Sequence, residues 1–259
     1  MVILILALLG GGAFGAYYLY RRSALAPVTN TPAQQAVPSS IIPADTRATI
    51  TIENQVPINV EARIKAEVAK QQAPNTIKEL IFATKDAAGK IGRVGGPQML
   101  SIMDIDAPDM LSRTLVPDWM FGVYSNANAD KDVFVIVTTN FFQNAFAGML
   151  QWENVMADDL KLYLPTTAFT TTIVASATST PASTSTPQEI TKSITSYPTL
   201  RGRFEDRIVK NKDVRAYRTD AGNILFLYSF IDNTHLVITT NEATLVEILT
   251  RLEKQSFVR

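Results

Sequence analysis

Residues Met1 to Tyr20, MVILILALLGGGAFGAYYLY, carry no charged side chain. About 20 apolar residues are what a helix needs to cross the hydrocarbon core of a bilayer. Tyr17, Tyr18 and Tyr20 gather at the end of the run, where an interfacial aromatic belt would lie, and Arg21 and Arg22 stop it. A cleaved signal peptide would show a basic stretch before the apolar run and a small-residue cleavage pattern after it. Neither is present, so residues 1–22 read as a single transmembrane anchor that meets the lipid bilayer through residues 1–20. Gly11 and Gly15 form a G-x-x-x-G pair, a spacing that lets two membrane helices approach closely, so a homodimer is one expectation for this segment.

Orientation is contested within the sequence itself. Arg21 and Arg22 lie after the apolar run, and the positive-inside rule would hold the rest of the chain in the cytoplasm. Against this, residues 23–46 and 165–188 are rich in Ser, Thr, Pro and Ala, a composition common in envelope stalks. On that ground the soluble part is expected outside the cytoplasm. Residues 23–46 read as a flexible tether and 165–188 as a low-complexity loop or linker. About 170–190 residues remain, enough to bury a self-sufficient core. They fall into 47–164 and 189–259, expected to form one composite domain.

Hydrophobic periodicity outlines that domain. Ile50 and Ile52 alternate in a short strand before a helix over Val56–Gln72, with Asn59 as a candidate cap and Val60, Ile64 and Val68 on its dry side. Ile77–Thr84 read as a strand, Asp86–Gly96 as a glycine-rich loop, and Met99–Leu115 as two short helical pieces. A strand over Trp119–Ser125, a turn of Asn and Asp residues, and an apolar strand over Val133–Thr138 lead to a helix from Asn140 to about Tyr163. Its expected core side is Phe142, Phe146, Met149, Leu150, Val155 and Leu160. Beyond the linker come strands over Phe204–Lys210, Asp213–Arg218, Ile224–Ile231 and Leu236–Thr240, then a helix from Asn241 to Glu253 with Leu245, Ile248, Leu249 and Leu252 facing inward.

Two stretches look alike. FGVYS, a turn, VFVIVTTN and a helix are matched by LFLYSF, a turn, HLVITTN and a helix. Thr suits a strand end and Asn caps a helix, so shared local physics or an internal duplication would each produce the likeness. Two such ββα units can lay their helices on one face of an antiparallel sheet. The expected fold class is α+β, a mixed and mainly antiparallel sheet with packed helices.

Few residues suggest chemistry. Cysteine is absent, which removes disulfides, thiolate metal sites and cysteine nucleophiles. The lone histidine, His235, sits just after a turn at the start of a strand, which suits a structural role better than a catalytic one. Asp104, Asp106 and Asp109, and the alternating Asn126, Asn128, Asp130 and Asp132, could supply oxygen ligands to a cation, but both sets lack the glycine and distal glutamate of a calcium loop. Gly89, Gly92, Gly95 and Gly96, with Lys90 and Arg93, match no phosphate-loop pattern. Glu153, Asp158, Asp159 and Glu205 could supply a carboxylate pair only if the fold brought two of them together. No metal and no cofactor is expected.

A basic run remains: Arg201, Arg203, Arg207, Lys210, Lys212, Arg215 and Arg218, diluted by Glu205, Asp206 and Asp213. It could bind an anionic polymer or lipid if its members shared a face; otherwise it is the charge that protects an edge strand. With 24 basic and 24 acidic residues, the whole chain has no electrostatic footprint for nucleic acid.

The motifs GMLQWE at Gly148–Glu153 and LYSFIDNTHLVITTNEATLVEIL at Leu227–Leu249 resemble uncharacterised single-span envelope proteins of streamlined bacterial lineages. The likeness covers nearly the whole soluble part, and it implies no activity and no site residues. The expectation is therefore a non-catalytic envelope module, an adaptor or assembly subunit with an envelope protein as partner. The alternatives are a carboxylate hydrolase of the envelope and a polymer-binding module built on the basic run. An adaptor would show an exposed apolar patch or an open sheet edge, and an enzyme a pocket of converging carboxylates.

Overall fold

The computed structural model describes residues 40–52, 57–85, 91–161, 163 and 201–256. The anchor 1–22, the Gly11–Gly15 pair, residues 23–39 and the stretch 165–188 lie outside the described residues. Residues 40–45, the end of the expected tether, belong to the folded body, and Ile42 among them is fully buried.

The sheet has nine strands: β1 (Thr46–Ile52), β2 (Thr76–Lys85), β3 (Ile91–Arg93), β4 (Leu115–Ser125), β5 (Lys131–Thr139), β6 (Gly202–Val209), β7 (Lys212–Thr219), β8 (Ile224–Phe230) and β9 (His235–Thr239). They run in the order β1-β2-β4-β5-β9-β8-β7-β6, with β3 also pairing with β2. Among the described residues only the β1–β2 pair is parallel. The helices are α1 (Pro57–Ala69), α2 (Gly96–Ile102), α3 (Asp109–Ser112), α4 (Phe142–Trp152), α5 (Met156–Leu160) and α6 (Glu242–Ser256). The fold is α+β, with one mixed, mainly antiparallel sheet joined across both halves of the chain by β5 and β9.

Both faces of the central strands are covered, which is why β5 reads as a nearly unbroken apolar run. Val133, Val135 and Val137 face the front layer with α1 to α5. Phe134 and Ile136 face the back, where Leu245, Ile248 and Leu249 of α6 pack with Ile42. Burying a side chain of this size contributes roughly 1.5–3 kcal/mol.

The likeness between the two halves survives in one place. Aligning Thr138-Thr139-Asn140 with Thr239-Thr240-Asn241 puts Ile136 on Val237, and these two residues are direct partners in the β5–β9 pair. Phe134 pairs with Thr239 and Thr138 with His235, so the register is two-fold symmetric about the Ile136–Val237 pair. The symmetry stops there. Tyr124 lies in the back cluster and its apparent counterpart Tyr228 in the front one. The two helices occupy opposite faces, not the single face expected. The cause is one residue. Asn241 caps α6 directly, its Oδ1 accepting the Ala243 N–H at 2.8 Å. At the other junction Asn140 does not cap: Phe141, at φ −147°, extends the strand path before α4 begins. One additional extended residue turns the following chain toward the other face.

Other expectations shift locally. Helix α1 starts at Pro57, a residue suited to a first turn, so Asn59 lies inside the helix rather than before it. The glycine-rich segment is not wholly loop: Ile91–Arg93 form β3, and Gly96 opens α2. The helix expected from Asn140 to Tyr163 is two pieces, α4 and α5.

Candidate functional site

Of the residues that the sequence assigns to the core side, Met149 and Leu160 are buried, while helix α4 presents Phe146 and Leu150 to the surface. Its buried residues are Ala145, Gly148, Met149 and Trp152. Phe146 and Leu150 are 41% and 42% exposed, and Phe141 and Val155 are exposed beside them. Gly148 explains the rotation. A Cβ at this position would lie 2.6 Å from the Leu111 nitrogen and 2.9 Å from its Cα, so the backbone of α3 rests directly on this glycine. With α3 seated there, the row Phe142, Phe146 and Leu150 turns outward.

That row continues onto the sheet. The rings of Phe142 and Phe230 lie 5.0 Å apart, Phe142 and Phe146 5.9 Å, and Phe146 and Phe230 6.0 Å. Beyond them an open groove of about 1020 Å³ runs over the front of β6 to β8, walled on its far side by Ile208, which is 76% exposed. Among the described residues strand β6 is an edge of the sheet.

A charge cluster holds this arrangement. Arg215 donates from Nε and Nη2 to Glu153 Oε1 and Oε2 at 2.8 and 2.7 Å, and from Nη1 to Asp206 Oδ1 at 2.9 Å. Tyr228 donates its hydroxyl to Glu153 Oε1 at 2.7 Å. The guanidinium also lies 5.7 Å from the centre of the Phe204 ring. The hydrogen bonds with Glu153 hold Arg215 even more firmly protonated than usual. Burial first, and the Glu153 carboxylate second, push the Tyr228 phenol well above its ordinary value. The cluster therefore ties the end of α4 to β7 and β8 and leaves its phenol unready to act as a base.

Several of the other candidate residues are occupied by structural partners. Asp159 accepts a hydrogen bond from Trp152 Nε1 at 2.7 Å, and Glu205 holds Arg218 at 2.9 Å and Arg203 at 3.3 Å. Glu153, Asp159 and Glu205 are thus each engaged by a different donor. His235 Nδ1 lies 2.8 Å from Asp232 Oδ2, while Asp232 Oδ1 accepts the N–H groups of Thr234 and His235, so the pair locks the β8–β9 turn. Burial raises the Asp232 pKa, but hydrogen bonds from His235 and Thr234 outweigh it and hold the carboxyl below its usual value. Asn126 Oδ1 accepts the N–H groups of Asn128 and Asp130, and Asp109 pairs with Arg113, so these polar residues shape turns and a helix end. Among the described residues no group of acidic or histidine side chains is placed to hold a metal ion.

The basic run does not share a face. Arg203, Arg207, Lys212 and Arg218 sit on the back of the β6–β7 hairpin and Arg215 on the front. Lys210, in the tight turn, reaches Thr250 and Glu253 of α6. Arg207 lies 3.1 Å from Glu242, at an angle that falls short of a hydrogen bond, and Lys212 donates to the Ile231 carbonyl. Arg201 is exposed just before β6.

Two buried clusters escaped the sequence reading. Glu79 is fully buried and accepts from Arg47, Arg93 and Ser40. Lys78 donates to the Glu67 carbonyl, and Lys131 to the Ala69 and Lys70 carbonyls, closing the end of α1. Burial lowers the Lys78 pKa. The only signal was a Lys-Glu pair inside the apolar strand IKELIF. In the front layer an apolar cavity of about 60 Å³ lies among Met99, Met103, Trp152 and Leu236, and its lining is almost wholly apolar.

Comparison with known proteins brings no relative: no family model, curated protein or solved structure matches this chain. Among the described residues no helix is long and apolar enough to cross a membrane.

Proposed function

We propose that this chain is a membrane-anchored, non-catalytic adaptor that holds another envelope protein outside the cytoplasm. The observation that carries the reading is the outward row Phe142, Phe146 and Leu150 on α4. A helix that buries Ala145, Gly148, Met149 and Trp152 while exposing Phe146 and Leu150 keeps two large apolar side chains on the surface. Contiguous exposed apolar side chains of this kind characterise protein-docking surfaces. The expected partner element is an amphipathic helix of an envelope protein, which would lay its apolar side along this row. Residues 1–22 serve as the anchor, and the Ser/Thr/Pro-rich segment that follows sets the distance from the membrane.

The geometry favours this reading over the other two. A carboxylate hydrolase needs two acidic groups facing one substrate; Glu153 and Asp158 line one groove, but Glu153 is held by Arg215 and Tyr228, and Asp159 and Glu205 are tied to other donors. A polymer-binding face needs unpaired cations together, and Arg203, Arg207, Lys210, Arg215 and Arg218 each stand against a carboxylate of the chain.

The test is a photo-crosslinking amino acid at Phe146 in the full-length protein in living cells, compared with the same probe at exposed Lys254. One discrete heteromeric adduct at Phe146, lost when Leu150→Asp is added, supports the reading. Adducts only with a second copy, or adducts shared equally with Lys254, overturn it. A reporter fused after Arg259 that functions only outside the cytoplasm tests the orientation, and activity solely of the matching cytoplasmic reporter would remove the envelope assignment.

A further inference from the structure

A second surface, separate from the α4 row, is the free edge of β6. The β6–β7 hairpin closes through a two-residue turn, Lys210-Asn211, with Val209 paired to Lys212. In such a hairpin the residues flanking the turn exchange backbone hydrogen bonds, and the bonding residues alternate from there. Val209, Arg207, Glu205 and Arg203 therefore bond inward to β7. The N–H and C=O groups of Ile208, Asp206 and Phe204 point away from the sheet, and no other strand among the described residues pairs with them.

Charge on an edge strand ordinarily repels a second strand. Here the charges are self-complementary. Lay a second β6 antiparallel to the first, centred on Asp206, and every position from Arg203 to Val209 finds a partner. Glu205 meets Arg207 of the other copy, twice by symmetry. Phe204 meets Ile208, also twice and on the front face. The side chain of Ile208, 76% exposed in one copy, then rests beside a phenyl ring. At the centre the two Asp206 carboxylates stand side by side, each already held by its own Arg215 at 2.9 Å. The register also aligns the free backbone groups, since Asp206, Phe204 and Ile208 are the outward-bonding residues. Centring on Phe204 instead would set Arg201 against Arg207 and place Ile208 opposite position 200, outside the described residues.

We infer that the protein forms a two-fold dimer by antiparallel pairing of β6 with β6 of a second copy, centred on Asp206, which joins the two sheets into one. The dimer leaves the α4 row open, so it stands or falls apart from the adaptor reading.

The chain contains no cysteine, which makes the register directly readable. Opposed residues in an antiparallel pair have Cα atoms about 5.5 Å apart where hydrogen-bonded, as at Asp206, and about 4.5 Å where not, as at Glu205 and Arg207, both within disulfide range. In the full-length protein in detergent, Asp206→Cys is expected to form a disulfide-linked dimer on mild oxidation. Glu205→Cys mixed with Arg207→Cys is expected to form the crosslinked heterodimer, and neither alone a homodimer. Light scattering of the otherwise native chain should show a dimer whose dissociation constant rises about tenfold or more with Ile208→Lys, with unchanged far-ultraviolet dichroism. Association through the Gly11–Gly15 membrane segment would also give dimers by mass. It would persist in Ile208→Lys and would give no Asp206-specific disulfide, and that outcome overturns the proposal, as does a monomer in both measurements.

Discussion

Arg215 grips Glu153 with two parallel hydrogen bonds, from Nε at 2.8 Å and from Nη2 at 2.7 Å, and this one pair fastens the end of α4 to the sheet beside the proposed docking row. The Glu153 side chain is 14% exposed and that of Arg215 27%. Bidentate geometry and partial burial place the pair well above ordinary surface ion pairs. Arg215→Ala strands a carboxylate that also carries the Tyr228 hydroxyl. The expected cost is about 3–5 kcal/mol, the range for breaking one side of a buried pair. Removing both charges with Arg215→Met and Glu153→Gln should cost clearly less than the sum of the single changes. Denaturation midpoints for the four proteins check the coupling, and strict additivity would show the pair to be inert.

Gly148 offers a prediction whose sign opposes helix propensity. Alanine in place of glycine normally favours a helix by about 1 kcal/mol. At Gly148 the added methyl would meet the α3 backbone at Leu111, 2.6 Å from its nitrogen, and backbone cannot swing aside as a side chain can. Gly148→Ala is therefore expected to destabilise by about 1–3 kcal/mol, as overpacking does. Ala147, one residue earlier and exposed, serves as the control. Ala147→Gly should cost about 1 kcal/mol for the ordinary reason. A stabilised Gly148→Ala would mean that α3 and α4 do not meet this closely.

The same glycine shows where the sequence stops being readable. Strands β5, β7, β8 and β9 follow from alternation and turn residues between near neighbours, and their ends fall within a residue or two of expectation. The side of α4 that goes inward could not follow from its own pattern, because Phe142, Phe146 and Leu150 make a better apolar row than Ala145, Gly148 and Met149. The choice is made by Leu111, some forty positions away in the chain. The faces of α4 and α6 likewise depend on a single extended residue, Phe141, that no periodicity reveals. The Glu79 cluster joins Ser40, Arg47 and Arg93 from three separate elements, and only the fold brings them together. Of the apolar side expected to face the core, Met149 and Leu160 do so, and Phe146 and Leu150 do not.

Asp132 should give the fold a pH dependence of its own. It is 9% exposed and stands beside the first turn of α6. Burial outweighs the hydrogen bond from Thr240 and the polar groups of Thr244 and Asn241 nearby, and raises its pKa above the ordinary 3.8. A carboxyl raised in the folded state favours folding in its protonated form. Its contribution is full below 3.8 and is lost as the pH rises through the folded value. Asp132→Asn keeps the shape and cannot ionise. The variant should be more stable than the native protein at pH 7, and the gap should close as the pH approaches 3.8. Unfolding midpoints across that range decide the matter, and a variant less stable at pH 7 would show that the α6 N-terminus favours the charge enough to offset its burial.

The β6–β7 turn supplies the last prediction, and it bears on the edge proposed to pair. Lys210 and Asn211 have φ of 48° and 61°, the left-handed geometry of a two-residue hairpin turn. Asn tolerates this region, and glycine adopts it with no steric cost. Asn211→Gly is therefore expected to stabilise by a few tenths of a kcal/mol up to about 1 kcal/mol. Asn211→Ala, with a Cβ and no compensating side-chain hydrogen bond, should destabilise by about 1 kcal/mol. Lys210 is left in place because its ammonium reaches Thr250 and Glu253 and seats the turn against α6. Thermal midpoints order the three proteins. If glycine and alanine shift the midpoint in the same direction, the turn is not held in this conformation in solution, and the alternation that frees Phe204, Asp206 and Ile208 for a second strand fails with it.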